Sequence, residues 1–173
     1  MKIYIKYHNS VPELQISDRG EWIDLCAAQS VTLEGPTKTK SSEIQFQSNY
    51  ISLGVAMKLP KGFEAHIVPR SSLFSKKGVI LSNSIGIIDN AYCGNDDTWR
   101  ALLIALRPTE IIKGERLLQF RIALSQKATI LQKLRWLFTR KIKFIKVNTL
   151  SDSNRGGFGS TNGYKVLQKN VNQ

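Results

Sequence analysis

The stretch Ile51-Ser52-Leu53-Gly54-Val55-Ala56-Met57-Lys58-Leu59-Pro60-Lys61-Gly62-Phe63-Glu64-Ala65-His66-Ile67-Val68 decides the fold class. Ile51 to Met57 alternates in the way of a half-buried strand, and Pro60-Lys61-Gly62 is turn chemistry. The segment after the turn places Phe63, Ala65 and Ile67 on one face, because side chains alternate along a strand. Working outward, Lys2–Tyr7 alternates in the same way. Val79–Leu81, Ile85–Ile88, Trp99–Leu106 and Leu117–Leu124 are further strand candidates. Short strands separated by Gly, Pro and Asn predict an all-β sandwich or barrel. No repeat of fixed period occurs, and residues 35–49 are polar enough for a surface loop.

The chain has 173 residues, one domain's worth, with 42 % hydrophobic and 22 % charged residues. That is enough apolar content to build a core without disulfides. Only Cys26 and Cys93 are present, which excludes a disulfide scaffold. The N-terminal residues lack the apolar core of a signal peptide, and no apolar run reaches membrane-span length. The expectation is a soluble intracellular protein that is not secreted: cytoplasmic, or nuclear in a eukaryotic or viral-host setting. The charge stands out: 25 Lys+Arg against 13 Asp+Glu, a net +12. Such a surplus calls for an anionic partner, which nucleic acid, nucleotide or membrane surface would each satisfy.

Two segments depart from the strand pattern. Residues 131–146 carry Lys133, Arg135, Arg140, Lys141, Lys143 and Lys146 with no acid. Leu131, Leu134, Phe138, Ile142 and Ile145 recur at helical spacing, whereas Lys141-Ile142-Lys143-Phe144 alternates. This predicts a short helix or loop near 130–139 and a strand near 141–148. The first 150 residues then form a single β domain with a basic insertion. Residues 151–173 are poor in large apolar groups and predict a flexible C-terminal arm.

Four clusters have the composition for chemistry. In the arm, Arg155-Gly156-Gly157-Phe158-Gly159-Ser160-Thr161 combines a permissive backbone, hydroxyl donors and a guanidinium suited to phosphate. Phe158 has no core to join and is suited to stacking on a base, although the same composition also fits a linker. Pro69-Arg70-Ser71-Ser72-Leu73 ends a strand where a short helix can begin. An arginine and two hydroxyls there suit phosphate, or an ordinary serine cap. Asn83 to Gly94 would place Asp89 at a strand end, at the mouth of a hairpin, where a carboxylate can act on water. Tyr92 follows within reach of a sugar, and the same residues also serve as plain turn formers. Lys113-Gly114-Glu115 enters a strand that carries Gln119, a polar residue needing a partner. His8, His66 and the cysteines lack metal spacing. Asp96-Asp97 has the carboxylates to bind a cation, but reads first as a solvated loop.

These clusters, in this order, resemble the motifs of the trimeric all-β deoxyuridine triphosphatases, the dUTPases. Trp22-Ile23-Asp24-Leu25-Cys26-Ala27-Ala28 is similar to the family's first motif, Gly-Tyr-Asp-Leu-x-Ala-Ala. Pro69–Leu73 resembles Pro-Arg-Ser-Gly-Leu, with Ser72 in place of Gly. Gly86–Gly94 resembles Gly-Val-Ile-Asp-x-x-Tyr-x-Gly, and Gly114–Gln119 resembles Gly-Asp-Arg-Ile-Ala-Gln. Gly156–Asn162 resembles Gly-Gly-Phe-Gly-Ser-Thr-Gly, with Arg155 closer to the glycines than in the longer version of that motif.

The resemblance implies a distorted jelly-roll, or β-clip barrel, assembled as a homotrimer with shared active sites. It implies cleavage of dUTP to dUMP and pyrophosphate with Mg2+. By the same resemblance Asp89 activates water, and Tyr92 packs against deoxyribose. The hairpin containing Asn83 and Gly86 reads uracil, on which Phe158 stacks. Arg70, Ser71, Ser72, Gln119, Arg155, Gly159, Ser160 and Thr161 hold phosphate, and Asp24 holds the metal through water.

Three rivals stand beside it. A dCTP deaminase of the same fold would also carry Arg-Ser-Ser, but it needs a glutamate that residues 98–107 lack. A basic nucleic-acid or membrane-surface binder would use residues 131–146, with Trp136 and Phe138. A non-catalytic regulator on this scaffold would bind a protein partner.

Overall fold

The structure, a computed structural model, describes residues 1–17, 20–138, 141–151 and 153–156. Among these residues the strands are β1 (Lys2–Tyr7), β2 (Ile23–Cys26), β3 (Val31–Leu33), β4 (Thr37–Lys38), β5 (Ile44–Gln45), β6 (Ser48–Ser52) and β7 (Val55–Lys58). They continue as β8 (Phe63–Pro69), β9 (Val79–Leu81), β10 (Gly86–Ile88), β11 (Arg100–Ala105), β12 (Thr109–Ile111), β13 (Arg116–Leu124) and β14 (Lys143–Lys146). Two helices, α1 (Leu73–Lys77) and α2 (Ile130–Phe138), interrupt the series.

Three sheets enclose the core, ordered β14-β1-β7, β10-β8-β13-β2 and β6-β11-β9. The pairs β12-β3 and β4-β5 complete the ladders. The expected alternation sets the burial: Ile3 and Ile5 in β1, and Phe63, Ala65 and Ile67 in β8, all point inward. Trp99 and Phe120 meet edge to face in the centre, with ring centroids 5.2 Å apart and planes at 84°. Such a pair adds about 0.5–1.5 kcal/mol to the apolar area it buries.

Ile51 to Met57 is two strands, not one. Gly54 sits between β6 and β7 at φ +67°, and a Cβ there would collide with the Val11 side chain and lie 3.0 Å from the His8 carbonyl. The break lets the chain leave the β11 sheet and join the β1 sheet, where Val55 faces Tyr7. Residues 35–49 are largely exposed, as expected of a surface loop, but β4 and β5 form a small ladder within them.

The basic segment divides as its periodicity predicts, into a helix and a strand that pairs in parallel with β1. Thr129 and Gln132 cap α2 reciprocally: the Gln132 N–H donates to Thr129 Oγ1 at 3.3 Å and the Thr129 N–H to Gln132 Oε1 at 2.8 Å. Trp136 packs edge-on against Phe63 at 5.3 Å. Ile130, Leu131, Leu134, Leu137 and Phe138 face away from that contact and are exposed.

Candidate functional site

β8 and β13 place most of the singled-out residues. They run antiparallel, with Gln119 opposite Val68 and Leu118 opposite Pro69. On the other side of β13, Gln119 faces Asp24 of β2. A register shift between Arg116 and Leu118 bulges the strand there, and a bulge re-aims the side chains beside it. Arg116 Nη1 donates to Asp24 Oδ2 at 3.0 Å, and Arg70 Nε donates to Asp24 Oδ1 at 2.9 Å. The Arg70 backbone N–H is held by the Leu117 carbonyl at 3.1 Å. Asp24, Arg70, Arg116 and the half-buried Gln119 therefore share one sheet end. Burial pushes the nearby Cys26 thiol up from its ordinary value, and the Asp24 charge adds to the effect.

Arg70, Ser71 and Ser72 link β8 to α1, where the sequence places a strand end and a helix start. Ser72 occupies the cap position of α1, but its hydroxyl makes no capping bond. Ser71 is exposed and Ser72 half-buried. The cluster is thus an arginine with hydroxyls that the helix does not use.

Asp89 follows β10. Its Oδ1 accepts the Ala91 N–H at 2.9 Å and the Tyr92 N–H at 3.3 Å, closing a turn. Its Oδ2 accepts from Arg155 Nη1 at 2.5 Å. Tyr92 is 8 % exposed and donates its hydroxyl to the Thr98 carbonyl at 3.1 Å. Burial, then the Asp97 charge, raise the Tyr92 phenol above its ordinary value.

The expected hairpin around Asn83 and Gly86 takes another form. β9 pairs with β11 while β10 pairs with β8, so the turn joins two sheets instead of two partner strands. Asn83 is exposed in that turn and Ser84 takes φ +57°. Gly86 lies opposite Ile67.

The two halves of the candidate site do not meet within one chain. Ile88 pairs with Ala65, near the start of β8, whereas Arg70 follows its last residue. Arg70 lies five positions beyond Ala65, about 16 Å at the usual strand rise of about 3.3 Å per residue. Asp89 and Tyr92 thus lie toward one end of β8, and Arg70, Asp24 and Gln119 toward the other.

Asp97 is a correction. It does not sit in a solvated loop: it is 2 % exposed, and its carboxyl accepts backbone N–H groups from Gly94 at 2.8 Å, Arg155 at 3.0 Å and Gly156 at 3.1 Å. Sequence reasoning also gave Arg116 no role. Its placement beside Asp24 depends on the bulge, which no local pattern announces. Among the described residues no group of three or more His, Cys, Asp and Glu could hold a metal. Phe158, Gly159, Ser160 and Thr161 lie outside the described residues.

The architecture defines a class: jelly-roll proteins with an arginine and hydroxyl cluster at one sheet end and an aspartate, paired with Arg155, at a strand end. Comparison with known proteins narrows it. The family model for dUTPase matches residues 23–119. The SPbeta prophage-derived deoxyuridine 5'-triphosphate nucleotidohydrolase YosS of Bacillus subtilis (strain 168) is 40 % identical over 162 residues, covering 93 % of this chain and 98 % of that protein. The deoxyuridine 5'-triphosphate nucleotidohydrolase of Leifsonia xyli subsp. xyli is 35 % identical over 147 residues, 84 % of this chain and 80 % of that one. Among solved structures, the dUTPase from Streptococcus mutans superposes with a TM-score of 0.59 at 18 % identity, covering 72 % of this chain and 98 % of its own. A dUTPase from phage phi11 of S. aureus, whose structure reveals the coordination of a structural Mg(II) ion, superposes at 0.58 with 16 % identity, covering 74 % of this chain and 94 % of its own. The chain belongs to the dUTPase family.

Proposed function

We propose that this protein hydrolyses dUTP to dUMP and pyrophosphate, as a homotrimer whose active sites are shared between subunits. The activity rests on family membership, supported by a deoxyuridine 5'-triphosphate nucleotidohydrolase matched over 98 % of its length. The shared site rests on the separation along β8. Asp89 at one end and Arg70 at the other cannot serve the same phosphate within one chain, so Asp89 works beside the phosphate cluster of a neighbouring copy.

In this reading Asp89 orients a water and takes its proton as the oxygen attacks the α-phosphorus. The Ala91 and Tyr92 N–H groups fix one carboxyl oxygen, which leaves the other to face water once Arg155 turns to phosphate. Arg70, Ser71, Ser72 and Gln119 grip the phosphate chain, and Arg155, Gly159, Ser160 and Thr161 join from the arm. Positioning and charge stabilisation are most of what phosphoryl chemistry requires. Tyr92 lays its ring against the deoxyribose, leaving no room for a 2′-hydroxyl. The backbone around Asn83 and Gly86 reads the uracil edge, and Phe158 covers it.

Mg2+ is the cofactor proposed. Such an ion keeps several waters and leans on substrate phosphates more than on a protein cage. Both oxygens of Asp24 already accept from arginines, so Asp24 suits a hold through water better than direct ligation. The ion would neutralise developing charge on the phosphates. The compartment proposed is the cytoplasm, or a host nucleus. Among the described residues no helix is long and apolar enough to cross a membrane.

The test is product analysis with dUTP, dCTP and dTTP in the presence of magnesium. Pyrophosphate from dUTP alone supports the reading. Ammonia from dCTP would point to the deaminase, and no turnover of any of the three would overturn the enzyme assignment.

A further inference from the structure

The contacts of the arm's first residues carry an inference about Asp97, which rests on the reading just given. Leu150 donates its N–H to Asn95 Oδ1 at 2.9 Å, and the Asn95 N–H donates to the Ser151 carbonyl at 3.0 Å. Asn154 Nδ2 donates to Asp96 Oδ2 at 2.7 Å, and the Asp96 N–H donates to Asn154 Oδ1 at 3.0 Å. Beneath these rim contacts lies Asp97, whose carboxyl takes the backbone N–H groups of both Arg155 and Gly156. The fit is close: a Cβ at Gly94 would come within 2.6 Å of Asn154 Cα and 2.7 Å of the Ser153 carbonyl. Arg155, pinned by its own backbone, reaches Asp89 with its guanidinium.

We infer that Asp97 is a positioning residue for the reaction: it anchors the root of the C-terminal arm and thereby sets Arg155 at the Asp89 site. Asp97 touches neither substrate nor reacting atoms. A buried carboxyl that accepts backbone N–H groups from two separate segments locks one segment to the other, because breaking these bonds would leave the carboxyl buried without its partners. The chain after Gly156, which carries the glycine-rich motif, therefore departs from a fixed point. A guanidinium held at a fixed root loses less freedom on gripping phosphate than one on a loose tail.

The experiment compares the full-length wild type with Asp97→Asn and Asn154→Ala in three assays: dUTP turnover, thermal melting and limited trypsin digestion. Digestion is read by mass spectrometry at the Arg155–Gly156 bond. The asparagine keeps the size but replaces one acceptor oxygen with a donor. Asn154→Ala removes an exposed rim contact and leaves the Asp97 cage intact. Cleavage after Arg155 is expected to rise about tenfold in Asp97→Asn, since protease access follows local opening. Its kcat/KM for dUTP is expected to fall at least about tenfold, and Asn154→Ala should shift both readouts the same way by less. If Asp97→Asn does not fold, Asn154→Ala decides: faster cleavage with lower kcat/KM supports the anchor, and no change overturns it. Reduced turnover with unchanged cleavage at Arg155 also overturns it, because Asp97 would then act on something other than the arm. A wild type that is protected at Arg155 but does not turn over dUTP would refute the proposed activity while leaving the anchor standing.

Discussion

Asp89→Asn separates chemistry from folding more cleanly than any other single change. The amide oxygen can replace Oδ1, so the turn bonds from Ala91 at 2.9 Å and Tyr92 at 3.3 Å persist. The amide nitrogen replaces Oδ2, and the ion pair with Arg155 is lost. Those side chains are 45 % and 44 % exposed, so the pair contributes at most about 1 kcal/mol to stability. For a domain of this size that corresponds to a melting shift of roughly 2–4 °C. The rate should respond on another scale: removing a general base costs roughly 10²–10⁴-fold in kcat, or about 3–5 kcal/mol of barrier. KM for dUTP should hardly move, because Asp89 is not among the groups holding phosphate. The assay is pyrophosphate release under saturating and limiting dUTP, alongside a thermal melt. A variant within about threefold of wild-type kcat would refute the assignment of Asp89 as the base. A rate loss accompanied by a melting drop beyond about 10 °C would show that folding, not chemistry, had been perturbed.

Other expectations follow from the same geometry. Removing residues 157–173 should abolish turnover and leave the melting temperature within about 2 °C, whereas removing 152–173 should also cost about 1–3 kcal/mol, because Asp97 loses two donors; paired melts and rate assays on the two truncations check this. Gly54→Ala forces a Cβ into the Val11 side chain at φ +67°, so it should destabilise by about 1–3 kcal/mol, measured by denaturant titration. Burial, with Lys6 nearby, holds His8 below its ordinary value of 6.5. The folded state thus binds fewer protons than the unfolded one. The stability involved is complete above pH 6.5, falls as the pH drops through the folded value, and then levels off. Melts between roughly pH 8 and pH 5 should show that slope, and His8→Asn should flatten it.

The strands buried on one face were the legible part of the fold. Phe63, Ala65 and Ile67 alternate strictly, and they alternate in burial. The segment from Ile51 to Met57 alternates just as well, yet its strand breaks at Gly54, because alternation says nothing about which sheet a residue joins. β2 and β3 are too short to show a period: β2 lies within the first motif, whereas nothing in the sequence marked β3. The candidate site was read from the motifs in their order along the chain, because Arg70 with two serines and Asp89 before Tyr92 each also suit an ordinary cap or turn. What could not be read was pairing over long sequence distances. Arg116 reaches Asp24 through a bulge, the turn at Asn83 joins two sheets, and Asp97 is buried by a segment more than fifty residues further along. The surplus of positive charge is now two features. Arg70, Arg116 and Arg155 each pair with an aspartate, and Arg70 and Arg155 are among the groups proposed to hold phosphate. Lys133 and Arg135 lie on α2 and Lys143 and Lys146 on β14, apart from the groups assigned to the nucleotide.

The central claim is that water held by Asp89 attacks the α-phosphorus of dUTP. Turnover in water enriched with oxygen-18, with magnesium present, tests it at the reacting bond. The account predicts label in the phosphate of dUMP and none in pyrophosphate. Label in pyrophosphate, or no cleavage of dUTP at all, would contradict it.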